Sequence, residues 1–387
     1  MSASPVTTSG RVQQLVDQAR AETSLDDFGG DTWREGLEVL VGSALTDAKL
    51  TELGEHMFYG SIVRALTNRL QIEGWYARHP EIDEQEVHVE LLGVGFPRTG
   101  STALAALLGE DEHIRSLRTW EAPAPTPPPG VDPAADAARI AAAEEVMQAQ
   151  HSMAARLRSM LPQSATGPLE DHDMMSMEFK AQVFLTAAWI PTYGEWFLNC
   201  DMEPMYRYER RVLKLLQWKC PPTRWQLKSP THTLFLEAFE RVFPETRFVM
   251  THRDVSKVLP SVTDLYCTLL QMSSENIDPV AVGDLNMEQW GAAIDRVMAF
   301  RASGRDDRFY DIGFGAFQAD MIGEIRGLYE WLGRELTDAT EARMQQWRAD
   351  NPRDKGGHQY DGAEFGLTED RLAARFGAYR ERFREYL

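Results

Sequence analysis

The stretch His88-Val-Glu-Leu-Leu-Gly-Val-Gly-Phe-Pro-Arg-Thr-Gly-Ser-Thr-Ala-Leu-Ala-Ala-Leu-Leu108 decides how this chain is read. Val89 to Val94 is apolar and leans towards a strand. Gly95-Phe96-Pro97-Arg98-Thr99-Gly100 is a tight turn, and Ser101 and Thr102 open the helix-forming run Ala103 to Leu108. A strand, a glycine-bounded turn and a helix start together wrap backbone N–H groups around a phosphate-like anion. Arg98 places a permanent positive charge inside the turn, while Ser101 and Thr102 add hydroxyl donors.

Two further strand-to-loop transitions follow. Trp225-Gln-Leu-Lys-Ser-Pro-Thr-His232 reads as a short strand broken at Pro230, which opens a helix from Leu234 to Phe243. Arg247-Phe-Val-Met-Thr-His-Arg-Asp254 reads as another strand, leading into a helix from about Val255. Strands alternating with helices at this spacing predict parallel βαβ units, hence an α/β fold. In open parallel sheets ligands bind off the carboxyl ends of the strands, and here three such ends carry Arg98, Lys228 and Arg253.

The rest of the chain frames this core. Val12, Leu15, Val16 and Ala19 fall on one helical stripe, and Trp33 to Leu45 and His56 to Trp75 repeat the pattern. Five prolines between Glu121 and Gly130 predict a stiff extended connector. Asp132 to Leu161, Met174 to Trp189 and Pro204 to Trp218 read as helices, the last two with aromatic-rich faces. The expectation is a single domain in three parts. Residues 1–86 form a helical layer, residues 87–270 an α/β core with a helical insertion at 131–218, and residues 271–387 a helical closing part.

At 387 residues, with 43% hydrophobic and 26% charged, the chain has the composition of an ordinary soluble globular protein. A formal charge of −19 argues against nucleic acid and anionic membrane surfaces as partners, so any anion site must concentrate its cations locally. Cys200, Cys220 and Cys267 are an odd set without C-x-x-C spacing, which fits a reducing cytoplasm better than a disulfide framework. Met1 to Gly10 has no apolar core of a secretory signal, and no apolar run spans a bilayer. A cytoplasmic location follows as the expectation.

Taken together, the segments resemble the sulfotransferases that use 3′-phosphoadenosine 5′-phosphosulfate (PAPS), in the bacterial branch with a helical N-terminal region. Pro97-Arg-Thr-Gly-Ser-Thr102 resembles that family's 5′-phosphosulfate loop. Thr251-His-Arg-Asp-Val-Ser-Lys-Val-Leu-Pro-Ser261 resembles its 3′-phosphate segment, where an arginine ends a strand and a serine follows eight residues later. Leu227-Lys-Ser-Pro-Thr-His232, Lys355-Gly-Gly-His358 and Phe365-Gly-Leu-Thr368 also match. Three departures stand out from the animal cytosolic members: arginine replaces the loop lysine at Arg98, Ala103 stands where a tryptophan stacks on adenine, and Pro230 stands at the base position, with His232 two residues further on.

The resemblance implies a P-loop-like sulfotransferase fold and transfer of a sulfuryl group to a hydroxyl of a small acceptor, without a metal. Arg98, Thr99, Gly100, Ser101 and Thr102 would hold the phosphosulfate; Arg253, Ser261, Lys355 and Gly356 would hold the 3′-phosphate. Lys228 could protonate or neutralise the leaving group, since Arg98 stays protonated throughout. His232 is the first choice of general base and Glu121 the second, with His172 and His252 as further candidates for which structural roles are favoured. The aromatic- and methionine-rich segments from Met174 to Trp218 suggest an apolar or lipid-like acceptor. The rival readings are a P-loop kinase or NTPase and a catalytically silent nucleotide-binding protein of the same fold. Gly95-x-x-x-x-Gly100-Ser101-Thr102 has the Walker spacing, but serine occupies the lysine position.

Overall fold

A computed structural model describes residues 7–153, 164–221, 224–352 and 361–387. Five strands, β1 (His88–Gly95), β2 (Arg115–Ser116), β3 (Arg224–Lys228), β4 (Arg247–His252) and β5 (Phe309–Gly313), build one sheet. All pair in parallel, in the order β2-β3-β1-β4-β5. A parallel sheet is covered on both faces, which is why its central strand is a near-continuous apolar run. Leu91, Val249 and Ile312 face one apolar cluster, with α4 (Ser101–Leu108) and the helix Met321–Leu332 packed over it. Val89, Leu92, Phe248 and Met250 face the other, larger cluster. Val89 and Leu92 share a face because the register slips between Val89 and Leu91, a bulge at Glu90.

The N-terminal layer consists of α1 (Thr8–Thr23), α2 (Trp33–Thr46) and α3 (Glu52–Arg78). The expected stripe of Val12, Leu15, Val16 and Ala19 is buried, and it joins one apolar cluster that reaches Phe383 near the C-terminus. Arg69 on α3 pairs with Glu178 at 2.6 Å, both buried, which ties this layer to the insertion.

Two expectations need correction. Residues 271–387 are not wholly helical: they contribute β5 at the sheet edge, a short strand whose polar Tyr310 and Asp311 blunt the apolar pattern. Met174 to Trp189 does not form one helix, only short turns at His172–Ser176 and Phe184–Ala187. Phe179 sits at φ +52° between them, and the Tyr193 hydroxyl bonds the Phe179 and Ala181 carbonyls, so tertiary contacts hold the chain out of a helix. The insertion helix is observed over Pro133–Met153, and its expected continuation to Leu161 lies outside the described residues. No helix among the described residues is long and apolar enough to cross a membrane, and the three cysteines are free thiols.

Candidate active site

β1 lies between β3 and β4, so the turn after it is flanked by the ends of both neighbours. Gly93 pairs with Lys228, and Gly95 with Thr251. Gly95 has φ +106°, and a Cβ there would stand 2.8 Å from the Thr251 carbonyl, so only glycine allows β1 to turn this close to β4. Arg98 (φ +65°) and Gly100 (φ +88°) are also left-handed. Such a conformation costs a non-glycine residue on the order of 1 kcal/mol or more. At Arg98 it is held by its surroundings: the Arg253 guanidinium donates to the Arg98 carbonyl at 3.0 Å. The Thr99 hydroxyl is committed inward, 2.6 Å from that of Thr251 and 2.8 Å from the Phe96 carbonyl. Gly100 opens α4 without a side-chain cap. The first amides of α4 thus keep their positive end for an anion.

Arg98 and Ser261, distant in sequence, meet here, with Nε 3.3 Å from Oγ. Arg253 lies over the Phe314 ring at 4.1 Å, and the same ring borders Gly100. Phe314 was not among the expected site residues; its only signal is its place immediately after a short edge strand. Beneath the turn, Phe96 is 1% exposed and meets Phe376 and Tyr379 of the helix Glu369–Arg382 edge-on, at 5.8 and 5.2 Å. The C-terminal helix therefore acts as the floor that keeps the turn in shape.

Lys228 shares a narrow cleft with Ser101, on the side of the turn away from Arg253. Its ammonium meets Glu170 Oε1 at 2.5 Å, and His172 Nε2 meets Glu170 Oε2 at 2.6 Å. Burial pushes the Glu170 carboxyl up, but the Lys228 ammonium and His172 outweigh it and hold it well below the usual range. Burial pushes the His172 imidazole down, yet Glu170, Asp173 and Asp171 outweigh that and raise its proton affinity. Glu170 and His172 line a cavity of about 660 Å³ with Leu169, Phe184, Leu269 and Met272. Met57 and Met272 line it too while standing 47% and 50% exposed. A larger open depression of about 950 Å³ lies at the opposite, amino-terminal end of the strands, around Val87, His88 and Arg224, far from these groups.

The two expected bases occupy other positions. His232 is 0% exposed, with Nε2 2.6 Å from Asp171 and Nδ1 3.0 Å from the Tyr206 hydroxyl. Both ring nitrogens are engaged by partners in the interior. Glu121 is equally buried and holds Arg115 with both oxygens, at 2.8 and 2.9 Å, while accepting from the Arg118 amide at 3.0 Å. It works as the anchor of the segment after β2. Removing one partner of such a pair leaves a buried charge, so Glu121→Ala is expected to cost about 3–5 kcal/mol of stability. Thermal unfolding and the rate per folded molecule check this; an unchanged midpoint with lost turnover would return Glu121 to catalysis. His252 is structural: it lies 2.8 Å from Asp311 and stacks on Phe383 at 4.3 Å, and burial leads its affinity for a proton downwards. Lys355 and Gly356 lie outside the described residues.

Residues 91–338, more than half of the chain, match a family model described as "Sulfotransferase family". The solved structure of sulfotransferase STF9 from Mycobacterium avium is 31% identical, with a TM-score of 0.88 over 96% of each chain. Sulfotransferase STF1 from Mycobacterium tuberculosis H37Rv is 27% identical, with a TM-score of 0.83 over 97% of this chain and 100% of that one. The omega-hydroxy-beta-dihydromenaquinone-9 sulfotransferase Stf3 of Mycobacterium bovis is 24% identical over 271 residues, 67% of this chain. That match spans 66% of the relative's own length, just under two thirds. A parallel sheet with a glycine-bounded turn after its central strand, cations on both flanks, and these likenesses agree: the chain belongs to the sulfotransferase family, in its bacterial branch.

Proposed function

We propose that this protein transfers the sulfuryl group of PAPS to a hydroxyl of an apolar or amphipathic, lipid-like alcohol. The observation that carries the reading is the chain Lys228–Glu170–His172, which links the donor-side turn to the apolar cavity. The phosphosulfate rests on the amides of Thr99 to Thr102 and on Arg98, and the 3′-phosphate on Arg253 and Ser261. The acceptor enters the cavity with its hydroxyl towards Glu170. Its oxygen attacks sulfur in line with the bond to the phosphate oxygen: the new S–O bond forms, the old one breaks, and adenosine 3′,5′-bisphosphate leaves. Lys228 and Arg98 offset the charge growing on the departing oxygen. The hydroxyl proton goes to the Glu170–His172 pair, which titrates as a unit because its members are in direct contact. His232 and Glu121 are thereby placed outside the chemistry.

The exposed methionines on the cavity and the substrate named in the Stf3 relative, a hydroxylated quinone lipid, both support a hydroxylated lipid as acceptor. Incubation with ³⁵S-labelled PAPS and a panel of hydroxylated isoprenoid, sterol and aromatic alcohols tests the reading, with mass spectrometry for addition of one SO₃. Label in an apolar alcohol is expected. Tight donor binding with no transfer across the panel would instead leave the silent binding protein.

The donor side has its own check. Arg253→Ala is expected to weaken binding of adenosine 3′,5′-bisphosphate roughly 10–100-fold, the loss of a charge-assisted contact. The turnover of the saturated enzyme should change far less. Calorimetric titration decides it: normal affinity in the variant removes Arg253 from the 3′-phosphate site.

A further inference from the structure

Behind the Glu170–His172 pair lies a second polar group that residue spacing does not announce. Asp171, Tyr206, Glu209 and His232 come from three separate segments and are all 0% exposed. One donor atom each of Asp171, Glu209 and His232 lies within 4.8 Å of the others. His232 is saturated: it is bound to Asp171 Oδ2 through Nε2 and to the Tyr206 hydroxyl through Nδ1. By contrast, both carboxyl oxygens of Glu209 and Oδ1 of Asp171 are buried without a hydrogen-bond partner.

Two ionised carboxylates within 4.8 Å of each other in a dry interior are strongly disfavoured. Each buried ion carries an effective penalty of several kcal/mol unless it is paired. One proton placed between the two carboxyl groups removes a charge and supplies the missing hydrogen bond, the arrangement of a carboxylate dyad. We propose that Glu209 stays protonated and shares its proton with Asp171, so that the buried Asp171–Glu209–His232–Tyr206 group positions the Glu170–His172 pair. This rests on the assignment of that pair as the base.

Asp171 sits between Glu170 and His172 in the chain and points into this buried group, while its neighbours face Lys228 and the cavity. Fixing Asp171 therefore fixes both neighbours. The titratable groups facing the cluster are Glu170 and His172 from the same segment, His232 after β3, and Tyr206 on the helix Glu203–Gln217, with Cys200 nearby. Burial drives Glu209 far above the carboxylate range, and the charge of Asp171 adds to it. The charge that remains on Asp171 raises the proton affinity of His172.

Infrared spectroscopy of the intact protein at neutral pH reads the proton directly. A carboxylic-acid C=O band is expected, lost in Glu209→Gln. Because the amide replaces a neutral acid, Glu209→Gln should keep its thermal midpoint and its pH–rate profile. Asp171→Asn should lower kcat roughly 10–100-fold at unchanged donor affinity, as expected of a displaced base. It should also move the acidic limb of the profile to lower pH, because a negative charge beside His172 is gone. His232→Gln, which removes the partner that holds Asp171, serves if Asp171→Asn does not fold; lowered kcat at unchanged donor affinity is then the readout. The proposal is overturned by absence of the band, by a shifted limb in Glu209→Gln, or by one equivalent of divalent metal in the purified protein that Glu209→Gln loses. A band present together with unchanged kcat in Asp171→Asn would keep the proton and overturn the positioning role. A failed base assignment on its own would leave the band in place.

Discussion

Glu170→Gln is expected to lower kcat roughly 10²–10⁴-fold, the usual reach of general-base catalysis, with donor affinity unaltered. Glutamine keeps the shape of the side chain but can neither take a proton nor hold His172 as a carboxylate does. The pH dependence gives the sign. The pair must be deprotonated to act, so turnover falls as pH falls through its apparent pKa. Glu170 alone is held below the ordinary carboxylate range, whereas His172 is raised above the ordinary imidazole value of 6.5. The wild-type acidic limb should therefore lie above that imidazole value. In His172→Ala the remaining turnover should persist to lower pH, because only the carboxylate is left to titrate. Steady-state profiles from acid to mildly alkaline pH decide it. A limb that stays put in His172→Ala, or a Glu170→Gln enzyme of normal turnover, removes the pair from the chemistry.

Lys228→Ala should cost roughly 10²–10³ in kcat, the typical loss when one stabiliser of developing charge is removed. Lys228→Arg should restore part of it, since the charge returns without a transferable proton. The lysine also holds the Glu170 carboxyl down. Without it the burial contribution is less opposed, the pair binds its proton more tightly, and the acidic limb moves to higher pH. An unshifted limb would show that Lys228 and Glu170 are not coupled in solution.

The turn after β1 and the cations around it were legible because they are local. Arg98, Thr99, Gly100, Ser101 and Thr102 occupy consecutive positions, and the glycines mark where a turn must leave the ordinary backbone region. Arg253 and Ser261 were legible for the same reason, as a strand end followed by a helix. The sheet itself was read from apolar runs, and it failed only where the run is short or diluted. The pair of residues at β2 and the polar residues of β5 fall below what periodicity resolves.

The acceptor half could not be read in that way. Glu170 and His172 lie in a short polar run within the insertion, with nothing in their spacing to set them apart from other acidic turns. His232 lay in a motif and read as a base, yet it folds inward because Asp171 and Tyr206 complete its hydrogen bonds in the interior. Glu121 likewise found Arg115 six residues away, and the geometry of that bidentate pair depends on how β2 docks beside β3. The sequence alone thus determined the parallel α/β architecture, the glycine-bounded turn and its cations, since these depend on backbone conformation and on residues close in the chain. Only the tertiary structure decided which carboxylate and which histidine face the apolar cavity. That choice depends on which polar side chains are satisfied in the core, and their partners are brought together from segments tens of residues apart.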